Sequence, residues 1–269
     1  MRILITGASG FIGSHLGRHA ASQGHEAIGL SRSVQVAGAA ACFRWAFGEP
    51  LPEGLPADIH CAVHLAHDFN GPEAAERTIA GTLAIIDELR ARGVRRQFFY
   101  SSYSAGEHAI SLYGRTKYAI ERAVRNDGDV SVIRPGLVLG DGGLYGRIRK
   151  FAQTFPVIPL PGGGKDAVPV IDIDTLCRET LSHATAPACP KEINLFEVEL
   201  RSLRQLAEAA ARDAGRRACI VPIPTALVMA GLKMAELLHL RLPVTSDNLQ
   251  GLVANRGAAH ISIFFKKEE

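Results

Sequence analysis

Tyr113 and Lys117 stand four residues apart in Leu112-Tyr113-Gly114-Arg115-Thr116-Lys117, a stretch whose pattern predicts a helix. On a helix that spacing puts the phenol and the ammonium on one face. A free phenol has a pKa of about 10 and is a poor base at neutral pH; lowering it by three pH units takes about 4 kcal/mol, much of which a neighbouring cation can supply. The pair is a candidate acid/base. Upstream, Phe98-Phe99-Tyr100-Ser101-Ser102 reads as a buried strand ending in two hydroxyls, and the carboxyl end of a parallel strand is where such a sheet places reacting groups. A third feature suits an anion. The apolar run Ile3-Leu4-Ile5 enters three glycines, Gly7, Gly10 and Gly13, each separated from the next by two residues, and a helix follows. Gly7 permits a sharp turn, Gly10 lets a pyrophosphate approach the backbone, and Gly13 lets the helix pack closely, with its first N–H groups aimed back at the turn.

Positioning these groups together requires parallel strands and crossover helices. Apolar runs predict strands over 2–6, 26–30, 42–47, 59–66, 97–101 and 130–134, and helical periodicity predicts helices over 11–23, 72–92 and 112–126 between them. Such alternation implies right-handed βαβ units and an α/β, doubly wound Rossmann-type sheet with helices on both faces. Beyond Gly136, glycine and proline crowd 135–146 and 156–169, and shorter helices are expected over 144–153, 173–184, 201–214 and 225–240. The chain therefore reads as one nucleotide-binding domain, 1–269, with a small C-terminal substrate lobe built mainly from about 136–172 and 190–269.

Composition agrees with this class. At 269 residues, 47% hydrophobic and 21% charged, the chain can bury a large core. A net charge of +3 with dispersed basic residues argues against a nucleic-acid partner. Five cysteines, Cys42, Cys61, Cys177, Cys189 and Cys219, are odd in number and widely spaced, which points to free thiols in a reducing compartment. The chain starts directly on a strand pattern without a signal-like region, and the apolar stretch 226–240 is interrupted by Lys233, Glu236 and His239, so a cytoplasmic protein without a membrane span is expected, the 225–240 helix packing on the domain. His60, His64 and His67 fall close together along the strand predicted over 59–66 and its immediate extension, but no carboxylate or thiol stands at ligand spacing, so they read as structural or cofactor-lining groups and no metal is expected.

In this order, the glycine turn, the strand-end Ser102, Tyr113-x-x-x-Lys117 and Arg134-Pro135-Gly136 resemble the short-chain dehydrogenase/reductase superfamily, in particular its extended branch of NAD(P)-dependent epimerases, dehydratases and reductases. Leu65-Ala66-His67, Gly81-Thr82 and Pro169-Val170-Ile171-Asp172-Ile173-Asp174 add to the resemblance, which runs from residue 1 to about 225. It implies catalytic Ser102, Tyr113 and Lys117: Tyr113 as general acid/base, Lys117 as its pKa modifier and a ribose contact, and Ser102 as hydrogen-bond donor to the substrate oxygen, with Ser101 and Ser104 the fallback for the serine. Cofactor contacts are implied at Gly7, Ser9, Gly10, Phe11, Ile12, Gly13, Ser31, Arg32, Leu65, Ala66, His67, Tyr113, Lys117, Pro135, Gly136, Leu137 and Val138. The end of the second strand, Gly29-Leu30-Ser31-Arg32-Ser33, lacks the carboxylate that would accept from an NAD ribose and presents a guanidinium flanked by hydroxyls, which suits the 2′-phosphate of NADP, with NAD as the alternative.

Three departures from the family pattern bear on the reaction. Thr78 stands where asparagine is usual, the Ser102–Tyr113 connection is short, which leaves the site more open or more dependent on the later lobe, and no Asp-Glu pair follows Ser102, which disfavours dehydration. The sequence thus reads as an NADP(H)-preferring oxidoreductase or epimerase, a monomer or homodimer acting on a carbonyl or secondary alcohol of a small or sugar-derived substrate; the alternative is an NADPH-binding structural or sensor protein without turnover.

Overall fold

A computed structural model describes residues 1–33, 36, 38–240, 242, 244–254 and 260–266. The first half runs β1 (Arg2–Thr6), α1 (Phe11–Ser22), β2 (Glu26–Ser31), β3 (Ala41–Arg44), β4 (Cys61–His64), α2 (Pro72–Ala91), β5 (Gln97–Tyr100), α3 (Leu112–Val124) and β6 (Val130–Pro135). The second runs β7 (Leu137–Leu139), α4 (Gly143–Thr154), β8 (Val157–Pro161), β9 (Ala167–Val168), β10 (Val170–Asp172), α5 (Ile173–Thr185), β11 (Glu192–Leu195), β12 (Arg201–Ser202), α6 (Leu203–Asp213), β13 (Cys219–Ile223), α7 (Thr225–Leu237) and α8 (Ser246–Ala254).

Seven parallel strands form the central sheet in the order β3-β2-β1-β4-β5-β6-β11. Residues of β1 alternate between its two faces and both are apolar: Ile3 and Ile5 join Leu16 and Ala20 of α1 and Leu176 and Leu181 of α5, while Leu4 joins Ile85 and Leu89 of α2. Helix α3 covers the same face as α2, packing Ile120 and Val124 against Phe99 and Val132. A strand buried on both sides must be a continuous apolar run, which is why β1 reads Ile-Leu-Ile. The order reverses direction at β1 and β4, so a crevice opens at the carboxyl ends of these two strands, where doubly wound folds hold their ligands.

Outside the sheet a smaller apolar cluster joins α4, β8 and α6 through Ala152, Ile158, Leu160, Ala207 and Ala210, with β8 paired to β13. Several elements differ from the sequence expectation. The strand predicted over 42–47 ends at Arg44, because Trp45 turns its side chain into the core and Phe47 packs in the same cluster beside it. The strand predicted over 59–66 is only Cys61–His64, and His67 lies in the loop three residues beyond it rather than on an extension of the strand. The helix predicted over 225–240 ends at Leu237 and does not pack as expected: Ala235 is its one buried residue, and Leu227, Met234 and Leu237 face outward, Leu237 at 72% exposure. Among the described residues no helix is long and apolar enough to cross a membrane. All five cysteines are free thiols.

Candidate active site

The turn after β1 is held by the sheet around it. Gly7 donates its N–H to the Leu30 carbonyl at 2.8 Å and sits at φ +68, in the left-handed region that glycine adopts without strain. A Cβ there would lie 2.8 Å from the Ala66 nitrogen, and one at Gly13 would lie 2.8 Å from the Ala8 Cα, so these two glycines let the turn lean on the Leu65–Ala66 backbone and let α1 close on the turn. Gly10 differs from both. Among the described residues the one atom a Cβ would approach is the Gly7 carbonyl at 3.1 Å, and the rest of that direction is open. Gly10 caps α1 without a side chain, and no acidic residue occupies the first turn of the helix. The opening N–H groups of a helix have no intrahelical partners and carry the positive end of its dipole, so an open, uncapped, carboxylate-free turn is suited to a pyrophosphate. Ser9 is exposed on this turn, while Phe11 and Ile12 pack against the core below it. The Phe11 ring also lies under the glycine-rich loop 140–143: a Cβ at Gly140 would come within 2.7 Å of it.

At the end of β2, Ser31 is buried and its hydroxyl bonds the Ser33 backbone, so it serves the turn itself. Arg32 and Ser33 are exposed beside it. On the other side of the glycine turn the Thr6 hydroxyl receives the Leu65 and Ala66 N–H groups at 3.1 and 3.2 Å. Thr78 bonds across from α2: its hydroxyl donates to the Ala74 carbonyl at 2.8 Å and accepts the Asp68 N–H at 3.1 Å, tying the loop after β4 to the helix. At the carboxyl end of β6, Gly136 and Leu137 spend their N–H groups on Leu195 and Pro169, and Val138 packs against the core, so this segment forms a wall of the crevice.

The acid/base candidates converge at the end of β5. The Ser102 hydroxyl lies near enough to the Tyr113 phenol to act on its ionisation, and is 2.9 Å from the Ser104 hydroxyl. Ser101 is buried with its hydroxyl unpartnered in the interior. Lys117 is one turn below Tyr113 and donates to the Tyr100 carbonyl at 2.7 Å, with its Nζ 5.7 Å from the centre of the Tyr113 ring. Burial pushes the Tyr113 phenol up to about 12, the nearby Ser102 hydroxyl acting in the opposite direction. Burial likewise pushes Lys117 down to about 7, against the pull of Glu121. The free protein therefore departs from the expectation of a phenol lowered by its lysine. Desolvation is the largest effect on both groups, and the ammonium bonds the Tyr100 backbone carbonyl.

His67 and Phe69 complete this wall. His67 meets the Tyr113 ring edge-on at 4.9 Å, and Phe69, 73% exposed, stacks on it at 5.8 Å. Burial, and then the Lys117 charge, push His67 down to about 3. The three histidines separate: His60 accepts the Arg2 N–H at 3.1 Å outside β4, His64 is paired with Gln97 at 2.8 Å in the sheet, and His67 belongs to the site. Among the described residues no group of three metal-ligating side chains comes together.

Residues without an obvious local signal hold α3 in place. Arg134 grips Glu121 through two bonds of 2.6 and 2.8 Å and reaches Glu192 at 2.8 Å, linking β6, α3 and β11. Glu121 stands four residues beyond Lys117, a spacing that was visible in the sequence. Asp247, which accepts the Leu112 N–H at 2.5 Å and the Tyr113 N–H at 3.3 Å, lies 134 positions from Tyr113 and has no such signal.

Residues 3–195 match the model of the NAD dependent epimerase/dehydratase family. Among solved structures, a nucleoside-diphosphate-sugar epimerase from Staphylococcus aureus superposes with a TM-score of 0.73 at 15% identity, over 99% of this chain and 94% of the other. A UDP-N-acetylglucosamine 4-epimerase from Bacillus cereus gives 0.69 at 14% identity over 97% and 98%, and the UDP-glucose 4-epimerase of Thermus thermophilus, solved in complex with NAD, gives 0.63 at 19% over 96% and 100%. At these identities the likeness is one of fold. An uncharacterised protein from Schizosaccharomyces pombe is 36% identical over 117 residues, which are 39% of this chain and 38% of the yeast protein.

Proposed function

We propose, from the premise that the chain belongs to the NAD dependent epimerase/dehydratase family, that it is an NADP(H)-preferring oxidoreductase or epimerase working at a carbonyl or secondary alcohol of a small or sugar-derived substrate. The observation that carries this reading is the convergence of Tyr113 and Lys117, one turn apart on α3, on the carboxyl end of β5, where Ser102 follows and Lys117 bonds the Tyr100 carbonyl, two strands along the sheet from the glycine turn. A nicotinamide nucleotide, when bound, supplies or accepts the hydride. What this chain contributes is the proton and the place. Tyr113 exchanges a proton with the substrate oxygen while Ser102 stabilises charge on the same atom. In this reading the open side of Gly10 and the first N–H groups of α1 hold the pyrophosphate, Leu65, Ala66 and His67 line the crevice, and Lys117 meets the ribose. Arg32, exposed and free of a neighbouring carboxylate on its strand end, takes the 2′-phosphate, with Ser31 holding its turn. Dehydration lacks an acid beside Ser102, where Tyr103 and Ser104 stand.

Calorimetric titration tests the cofactor assignment. Arg32→Ala should weaken NADPH binding by about 1.5–3 kcal/mol, the worth of a hydrogen bond to a charged group, and leave NADH almost unchanged; equal losses for both nucleotides would remove the 2′-phosphate from Arg32. Single-turnover oxidation of NADPH against a panel of nucleotide sugars and small carbonyl compounds tests catalysis. Binding without oxidation of the nucleotide by any of them would favour the non-catalytic binder, a reading that draws on Lys117 spending a hydrogen bond on the Tyr100 carbonyl.

A further inference from the structure

Two segments contributed from the far end of the chain close on the short connection between Ser102 and Tyr113. Helix α8 points its first turn at the first turn of α3: the Asp247 carboxylate accepts from the Leu112 and Tyr113 N–H groups, at 2.5 and 3.3 Å. Ser111 caps the same helix by accepting the Gly114 N–H at 3.0 Å, so three of the opening donors of α3 are satisfied, two of them by a residue distant in sequence. Asp247 is itself held. Glu236 at the end of α7 accepts the Ser246 N–H at 2.6 Å and the Ser246 hydroxyl at 2.8 Å, and Leu249 of α8 is buried. At the other end of the connection, the half-buried His260 ring meets the Tyr103 ring edge-on at 5.2 Å. The segment carrying His260 is sewn to the central sheet, where the Asn194 side chain donates to the Ile261 carbonyl at 3.0 Å and the Ser262 hydroxyl donates to the Phe196 carbonyl at 2.5 Å.

Neither contact reaches a catalytic hydroxyl, yet one lands on the backbone of Tyr113 and the other on the residue after Ser102. A helix bonded at its first turn by a carboxylate is fixed in rotation as well as in position, and a small rotation of α3 would swing the Tyr113 hydroxyl away from Ser102, since effective catalysis requires reacting atoms held to a fraction of an ångström. A connection as short as the one between Ser102 and Tyr113 has no helix or strand of its own to supply this restraint. We infer that Asp247 is a positioning residue for Tyr113, with His260 bracing the Ser102 turn opposite it, so that the C-terminal segment completes the catalytic geometry. The inference rests on the catalytic reading given above.

The test uses the full chain with Asp247→Ala, Asp247→Asn and His260→Ala, each followed by hydrogen–deuterium exchange and by single-turnover NADPH oxidation. Asn retains one acceptor oxygen and Ala retains none. In Asp247→Ala the peptide containing residues 111–117 should exchange faster, the hydride-transfer rate should fall by about 10- to 100-fold as misplaced catalytic groups do, and the substrate KM and nucleotide Kd should stay within twofold. Asp247→Asn should recover most of the rate, and His260→Ala should lose rate in the same pattern with faster exchange over 102–106. Unchanged exchange in Asp247→Ala would show that the bond to α3 is not made. Faster exchange with an unchanged rate would make Asp247 a structural cap only. A rate loss matched by an equal loss of thermal stability and not rescued by Asn would also overturn the positioning role. An inactive parent protein fails the catalytic reading itself, and is told apart from these because it shows before any variant is made.

Discussion

At the scale of single residues, the informative contrast is between the half-buried Tyr113 and the buried Lys117, moved in opposite directions by the same desolvation. Tyr113→Phe keeps the ring against His67 and Phe69 and removes the proton, so turnover should drop by about 10²- to 10⁴-fold, the usual worth of a positioned acid/base, while NADPH affinity holds. A wild-type rate in single-turnover measurements would dismiss it as the acid/base. Lys117 makes a prediction that needs no substrate. With its pKa near 7 in the free protein it is mostly neutral at pH 8, and acceptor oxygens from a ribose favour its charged form. Binding should therefore draw in a proton, close to one per NADPH at pH 8 and fewer as pH falls below 7, where the lysine is already charged. Calorimetry in buffers of different ionisation enthalpy reads this number directly; Lys117→Ala should abolish it, and zero uptake by the parent at pH 8 would mean that the lysine does not change its state on binding.

At the scale of elements, the β1–turn–α1 unit separates folding from binding. Gly10→Val points its side chain into open space, so the protein should fold with a melting temperature near that of the parent and lose nucleotide binding. Gly13→Val would drive its Cβ into the Ala8 backbone, so it should lower the melting temperature by several degrees before binding is even considered. Thermal unfolding with and without NADPH distinguishes the two, and a Gly10→Val protein still shifted by micromolar NADPH would place the pyrophosphate elsewhere. This unit was fully legible in the sequence because its information is local: an apolar run, three glycines and a helical period, all within 22 residues of the N-terminus. The same holds for Tyr113 and Lys117, whose spacing carries their proximity. Beyond Gly136 the strands are only two to five residues long, and β11, the seventh strand of the main sheet, was missed, since Glu192-Ile193-Asn194-Leu195 offers too short an alternation to stand out. Asp247 and His260 were illegible for a different reason: their partners lie far away in sequence, and a carboxylate that caps a distant helix looks the same as one that caps its own.

At the scale of the whole molecule, the sheet that gathers the site also makes stability depend on pH, through histidines folded into it without charge. Burial pushes His64 down to about 4, partly offset by its bond to Gln97, and pushes His67 down to about 3. In the unfolded chain each titrates near the ordinary histidine value of about 6.5. Between these limits the unfolded state binds protons that the folded state refuses, so the free energy of unfolding rises with pH there. The neutral-histidine contribution is fully present above pH 6.5 and is lost as pH falls, down to about 4 for His64 and about 3 for His67. For His64, completely buried between β1 and β5, the full loss amounts to about 3 kcal/mol, a large share of the stability of an ordinary domain. Urea unfolding at a series of pH values between 7 and 4 should show a falling midpoint with an unchanged m-value. Carboxylates released from ion pairs add to the same trend at lower pH, so the histidine share is isolated by difference. His64→Gln keeps an amide able to bond Gln97 and cannot take up a proton, and its stability should fall less steeply than that of the parent, by up to one proton per molecule between pH 6 and 4.5. Parallel curves for the two proteins would mean that His64 accepts its charge in the folded sheet.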